Sequence, residues 1–93
     1  MEVEIRLKKQ VEKYMNKCDL KTYTKIKNAL EKLKKLDGDI KRMEGSSLYR
    51  LKIPPYRILF SQEYGYNDDN EEIMILTAHR IGPRGDVYKK KGV

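Results

Sequence analysis

The stretch LYRLKIPPYRILF, Leu48 to Phe60, sets Arg50, Lys52 and Arg57 among side chains that otherwise suit a sheet core. Alternation puts Arg50 and Lys52 on one strand face, and a reversal at Pro54-Pro55 brings Arg57 opposite them. Arg80, Arg84 and Tyr88 follow later in the chain as the remaining members of one convergent cationic set. Such a set can grip a phosphodiester and stabilise the extra negative charge of its transition state. RNA brings its own nucleophile, the 2′-hydroxyl. Metal-free cleavage then needs a base for that proton, cations for the phosphorane and an acid for the leaving 5′-oxygen. A tyrosine or lysine can fill either proton-transfer role where neighbouring positive charge lowers its pKa. The plainer reading of the same residues is a solvated basic sheet face.

Other chemistries find little footing. The sequence has no glycine-rich phosphate loop, no paired His/Cys metal spacing and no Ser-His-Asp set within one plausible site. Its one cysteine, Cys18, excludes an internal disulfide and reads as a helix-face residue. The single histidine, His79, closes an apolar strand, where a structural role is the usual one. Asp68, Asp69, Glu71 and Glu72 fit a solvated loop better than a metal site, because they follow no ligand pattern. The expectation is a protein without metal or cofactor.

The net charge of +7 is unevenly spread. Residues 40–62 and 73–93 carry +4 each, while residues 63–72 carry −5. A basic surface broken by one acidic loop favours nucleic acid or an acidic partner. With 93 residues, 39% of them hydrophobic and periodically placed, the chain reads as a single domain over residues 1–93. No apolar run suits a membrane span and no leader pattern is seen, so a cytoplasmic protein is expected.

The elements that must position the cations follow from the periods. VEIRL alternates, with Val3, Ile5 and Leu7 on one face of a strand. Lys8 to Lys17 reads as a short amphipathic helix with Val11, Tyr14, Met15 and then Cys18 on its apolar side. Asp19 is placed to cap a second helix, whose stripe is Tyr23, Ile26, Leu30 and Leu33. Gly38 is suited to the left-handed position after that helix. Then the period becomes two: LYRLKI and YRILFSQE are strands about the Pro54-Pro55 turn, YGYNDDNEE is a loop, and IMILTAHR is a central strand. IGPRGDVYKKKGV is a broken tail with room for a short edge strand around Val87. The order β-α-α-β-β-β gives an α+β domain: an antiparallel sheet of about four strands with an amino-terminal helix pair packed on one face. The first strand should pair with the later ones, and the uncovered face would carry Arg50, Lys52 and Arg57.

KRMEGSSLYRLKIPPYRILF, followed by IMILTAHR and RGDVYK, resembles the RelE side of the RelE/ParE toxin superfamily. The likeness is distinctive from Lys41 to Lys89 and only architectural from Met1 to Gly38. It implies a toxin of a type II toxin-antitoxin system, neutralised by a cognate antitoxin protein. RelE-type members are mRNA interferases: endoribonucleases that cut translated mRNA on the ribosome without metal. Carried onto matching positions, Arg57 and Arg80 would clamp the scissile phosphate and Lys52 would stabilise charge or assist proton transfer. Tyr88 would be the general base, with Arg50, Lys52, Arg84 and Lys89 as RNA-binding side chains. Arg50 stands where some relatives have lysine, which suits gripping a phosphate but not moving a proton. The segment IGPRGDV is longer than in many members, so Arg84 could take the role given to Arg80. ParE-type members share the fold and inhibit DNA gyrase by binding, which is the alternative reading. A non-catalytic basic nucleic-acid-binding module is another.

Overall fold

The computed structural model describes residues 1–83. In chain order these form β1 (Glu2–Leu7), α1 (Lys9–Lys17), α2 (Leu20–Leu33), β2 (Asp39–Arg42), β3 (Tyr49–Ile53), β4 (Tyr56–Tyr66) and β5 (Glu72–Pro83). The sheet order is β1-β5-β4-β3-β2. The α+β class, the helix pair and the order of elements agree with the sequence reading.

Two features of the sheet differ from it. Among the described residues there are five strands, because Asp39–Arg42 pairs antiparallel with β3 from Tyr49 to Lys52, placing Asp39 opposite Lys52 and Lys41 opposite Arg50. The sheet is also mixed, since β1 runs parallel to β5 from Glu2 beside Ile73 to Leu7 beside Ala78. A helix pair between β1 and the remaining strands is long enough to return the chain to the same end, which parallel pairing requires.

The helices cover one face. Val11 and Met15 of α1 and Ile26, Leu30 and Leu33 of α2 close on Leu51, Ile53, Ile58, Phe60, Leu76, Ala78 and Ile81. Alternation along β1 adds Val3, Ile5 and Leu7 to the same side. Burying each such aliphatic side chain contributes about 1.5–3 kcal/mol, so this layer supplies the main drive to fold. Tyr49 and Phe60, opposite each other on β3 and β4, stack with ring centroids 5.5 Å apart.

Local signals behave as their chemistry dictates, with one exception. The Asp19 carboxylate accepts the Thr22 N–H at 3.1 Å and caps α2. Lys8 lies just outside α1, as its N-cap residue. The left-handed residue that closes α2 is Leu36, at φ 56°, where the sequence pointed to Gly38. Asp37 N–H returns to the Lys32 carbonyl and Leu36 N–H to that of Leu33, the paired bonds of a Schellman closure. That closure falls two residues before the glycine. Gly38, at φ 141°, serves instead where an added Cβ would come within 2.9 Å of the Leu51 side chain.

Beyond Phe60, β4 continues to Tyr66, so the acidic loop is shorter than its composition suggests. Asn67 organises it: its side-chain oxygen accepts N–H bonds from Asp69 and Glu71, both at 2.9 Å. The strand expected around Val87 lies outside the described residues. Among the described residues no helix is long and apolar enough to cross a membrane.

Candidate nucleic-acid interface

The sheet face away from the helices carries the cations. Register places them in two cross-strand rows. One runs Lys41, Arg50, Leu59, Arg80 across β2, β3, β4 and β5. The other runs Asp39, Lys52, Arg57, Gly82. Neighbouring strands lie about 4.8 Å apart and same-face residues along a strand about 7 Å apart. Arg50, Lys52, Arg57 and Arg80 therefore converge on a patch roughly 10 Å wide around the apolar side chain of Leu59.

Arg57 is the centre of this patch. It is 7% exposed, the one charged residue among the buried side chains described. One terminal nitrogen donates to the adjacent Tyr56 carbonyl at 3.1 Å, and its buried Nε has no acceptor. Among the described residues no carboxylate comes within ion-pair distance of it. An unpaired cation taken out of water costs several kcal/mol. The sequence reading placed Arg57 on an open, solvated face; the structure places it there but sinks it between β3 and β5.

Arg50 is differently employed. It donates to the Asp39 carboxylate at 3.2 Å, while its buried Nε is unsatisfied. Asp39 is more than half exposed, so this pair is easily exchanged for another anion. Lys52, directly opposite Arg57, is half-buried. Arg80 is half-buried and engaged in interactions of its own. Arg84, Tyr88 and Lys89, the other members of the sequence-derived set, lie outside the described residues.

Three residues that spacing could not nominate help build the face. A β-bulge in β5 pairs Leu59 with Arg80 but Phe60 with Ala78, leaving His79 as the extra residue. Ala78 thus faces the helices while Arg80 faces away, although only two positions separate them. The His79 ring lies 2.7 Å from Ser61 Oγ on β4. Past the end of β1, Gln10 of α1 takes the place of a strand neighbour for β5. Its side chain accepts the Ile81 N–H at 3.0 Å and donates to the Ile81 carbonyl at 3.1 Å, fixing the segment that bears Arg80. No sequence signal marks Gln10. His79 was visible only as a lone histidine at a strand end.

Burial and then the nearby Lys8 ammonium push the His79 pKa below its ordinary value, with Glu63 opposing. Its ring is therefore neutral near pH 7. Among the described residues no three His, Cys, Asp or Glu side chains gather as metal ligands.

No protein-family model matches the chain, and no curated protein matches it in sequence. Its fold does have a solved counterpart. A chain in the crystal structure of the archaeal RelE-RelB complex from Pyrococcus horikoshii OT3 aligns with a TM-score of 0.62 and 22% identity. The alignment covers 91% of this chain and 98% of that one. At that identity the likeness is one of fold, and the fold is RelE-like.

Proposed function

We propose that the chain is the toxin of a type II toxin-antitoxin pair and acts as a metal-independent, ribosome-dependent mRNA endoribonuclease. The observation that carries this is Arg57: a buried guanidinium with no carboxylate among the described residues, ringed by Arg50, Lys52 and Arg80. A fold rarely retains an uncompensated buried cation for stability, and an arriving phosphate supplies the missing charge. The resemblance from Lys41 to Lys89 and the RelE-like fold support the same reading.

In this reading Arg57 and Arg80 hold the scissile phosphate while Lys52 stabilises the charge that develops on it. Arg50, released from Asp39, and Arg84 and Lys89 contact flanking RNA. Tyr88 is the proton-transfer candidate that the resemblance supplies. A domain this small offers little surface to orient RNA, so the ribosome provides the rest. The proposed partner in the resting state is an antitoxin chain that lays acidic or apolar side chains over the cationic face. The solved counterpart of similar fold is itself part of a complex, RelE with RelB.

The test is 5′-end mapping of mRNA in a translating extract containing EDTA-tolerant controls, beside a gyrase supercoiling assay. New 5′ ends on ribosome-bound mRNA, with naked RNA cut poorly, are expected. Gyrase inhibition with intact mRNA would replace this reading by the gyrase-inhibitor one.

A further inference from the structure

Ordinary alternation would have hidden His79 from the cationic face or placed Ala78 and Arg80 together. The bulge does neither: Ala78 joins the helix-side core, Arg80 stands opposite Leu59, and the His79 ring meets Ser61 Oγ at 2.7 Å. Ser61 follows Leu59 by two residues on β4, so it sits on the same face about 7 Å along the strand. His79 is thereby a titratable ring held beside the phosphate-binding patch by a second side chain. A nitrogen fixed by a hydroxyl commits the other nitrogen to chemistry, as in any oriented imidazole.

We propose that His79, turned onto the cationic face by the β5 bulge and oriented by Ser61, is the base that takes the 2′-hydroxyl proton. This rests on the RNA-cleaving reading above. The scheme takes the tautomer in which Nε2–H, 2.7 Å from Ser61 Oγ, donates to it and the Nδ1 lone pair is the acceptor. Nδ1 takes the proton as the O2′–P bond forms and the P–O5′ bond breaks. The leaving O5′ takes a proton from water, and the hydroxide so formed is neutralised by the imidazolium proton. The products are a 2′,3′-cyclic phosphate end and a 5′-hydroxyl end. Ser61 is a positioning residue in this scheme.

The charged groups around the ring are Lys8 ahead of α1, Glu63 on β4, Arg80 on β5 and Arg6, which is opposite Thr77 on β1. Burial first and then the Lys8 ammonium push the ring toward its neutral, proton-accepting form, with Glu63 opposing. Cleavage should rise with pH through the lowered histidine pKa and then level off.

The experiment is single-turnover cleavage of mRNA on translating ribosomes across roughly pH 5–8, the range in which a histidine titrates. His79→Gln keeps a hydrogen-bonding partner for Ser61 but cannot titrate. It should lower the rate by roughly 10²–10⁴ and flatten the rising limb, with ribosome binding retained. Ser61→Ala should lower the rate less and displace the limb, and Ser61→Thr should restore both. Whatever Tyr88→Phe does to the rate, the limb should persist. A His79→Gln protein with the wild-type rate and profile would overturn this inference and leave the nuclease reading standing. A wild-type protein that cuts no RNA would overturn both. Should His79→Gln melt early, the Ser61 pair decides: an unmoved limb in Ser61→Ala overturns the proposal.

Discussion

Arg57 is a liability to the fold and, under the proposed function, an asset to the site, and the two effects can be separated. Its guanidinium is buried, its Nε is unsatisfied, and the facing residue on β5 is Gly82, which offers no side chain to pair with. Arg57→Met keeps most of the side-chain volume and removes the stranded charge. Stability should hold or rise by on the order of 1 kcal/mol, read as an unchanged or higher melting temperature. Cleavage should fall by roughly 10²–10³, the scale for losing one transition-state donor. A variant that is both less stable and fully active would show that Arg57 is structural. Alternation was enough to put Arg50, Lys52 and Arg57 on a common face. It could not show the depth of Arg57, because depth depends on what flanks β4 on both sides, and that is set by a register no single strand encodes. Nor could it find Ser61 and His79, whose meeting requires an inserted residue that breaks the alternation itself.

At the scale of elements, the turn after α2 shows how tertiary demand overrides local preference. Leu36 holds the left-handed conformation at φ 56° and is 54% exposed, so it gives little burial in return. That conformation costs an L-residue about 1–2 kcal/mol. Leu36→Gly should therefore stabilise the domain by on the order of 1 kcal/mol, a rise of about 4–8 °C in a thermal melt of a domain this size. A lower melting temperature would mean that the Leu36 side chain, near Ile40 and Tyr49, contributes more packing than its exposure implies. The sequence pointed to Gly38 because glycine is the commonest residue in such closures, yet the hydrogen bonds from Leu36 and Asp37 end the helix earlier. The helices, the Asp19 cap and the strands about Pro54-Pro55 were legible because each has a strong period or a capping side chain. β2 was not. Asp39–Arg42 is four residues with Ile40 as its sole apolar member, too short to display a period. Its pairing with β3 is what makes it a strand.

For the whole molecule, the +7 charge has a definite reach. If Arg50, Lys52, Arg57 and Arg80 each neutralise one phosphate of single-stranded RNA, the plot of log affinity against log salt should slope at roughly −3. Fluorescence titrations with an uncleavable 2′-O-methyl RNA over a salt series measure it. Arg57→Met should make the slope shallower by roughly 0.7, and an unchanged slope would remove Arg57 from the contact set. The arrangement of the strands adds an order in time. β1 has β5 as its sheet neighbour, with Glu2 beside Ile73, so the first strand to be synthesised waits longest for its hydrogen bonds. β5 also brings Arg80 and His79. Until that strand has emerged and slid between β1 and β4, the nascent chain has half a cationic face and no bulge. A chain with the proposed activity is thus unarmed toward the ribosome still making it, and the safeguard is the sheet order itself.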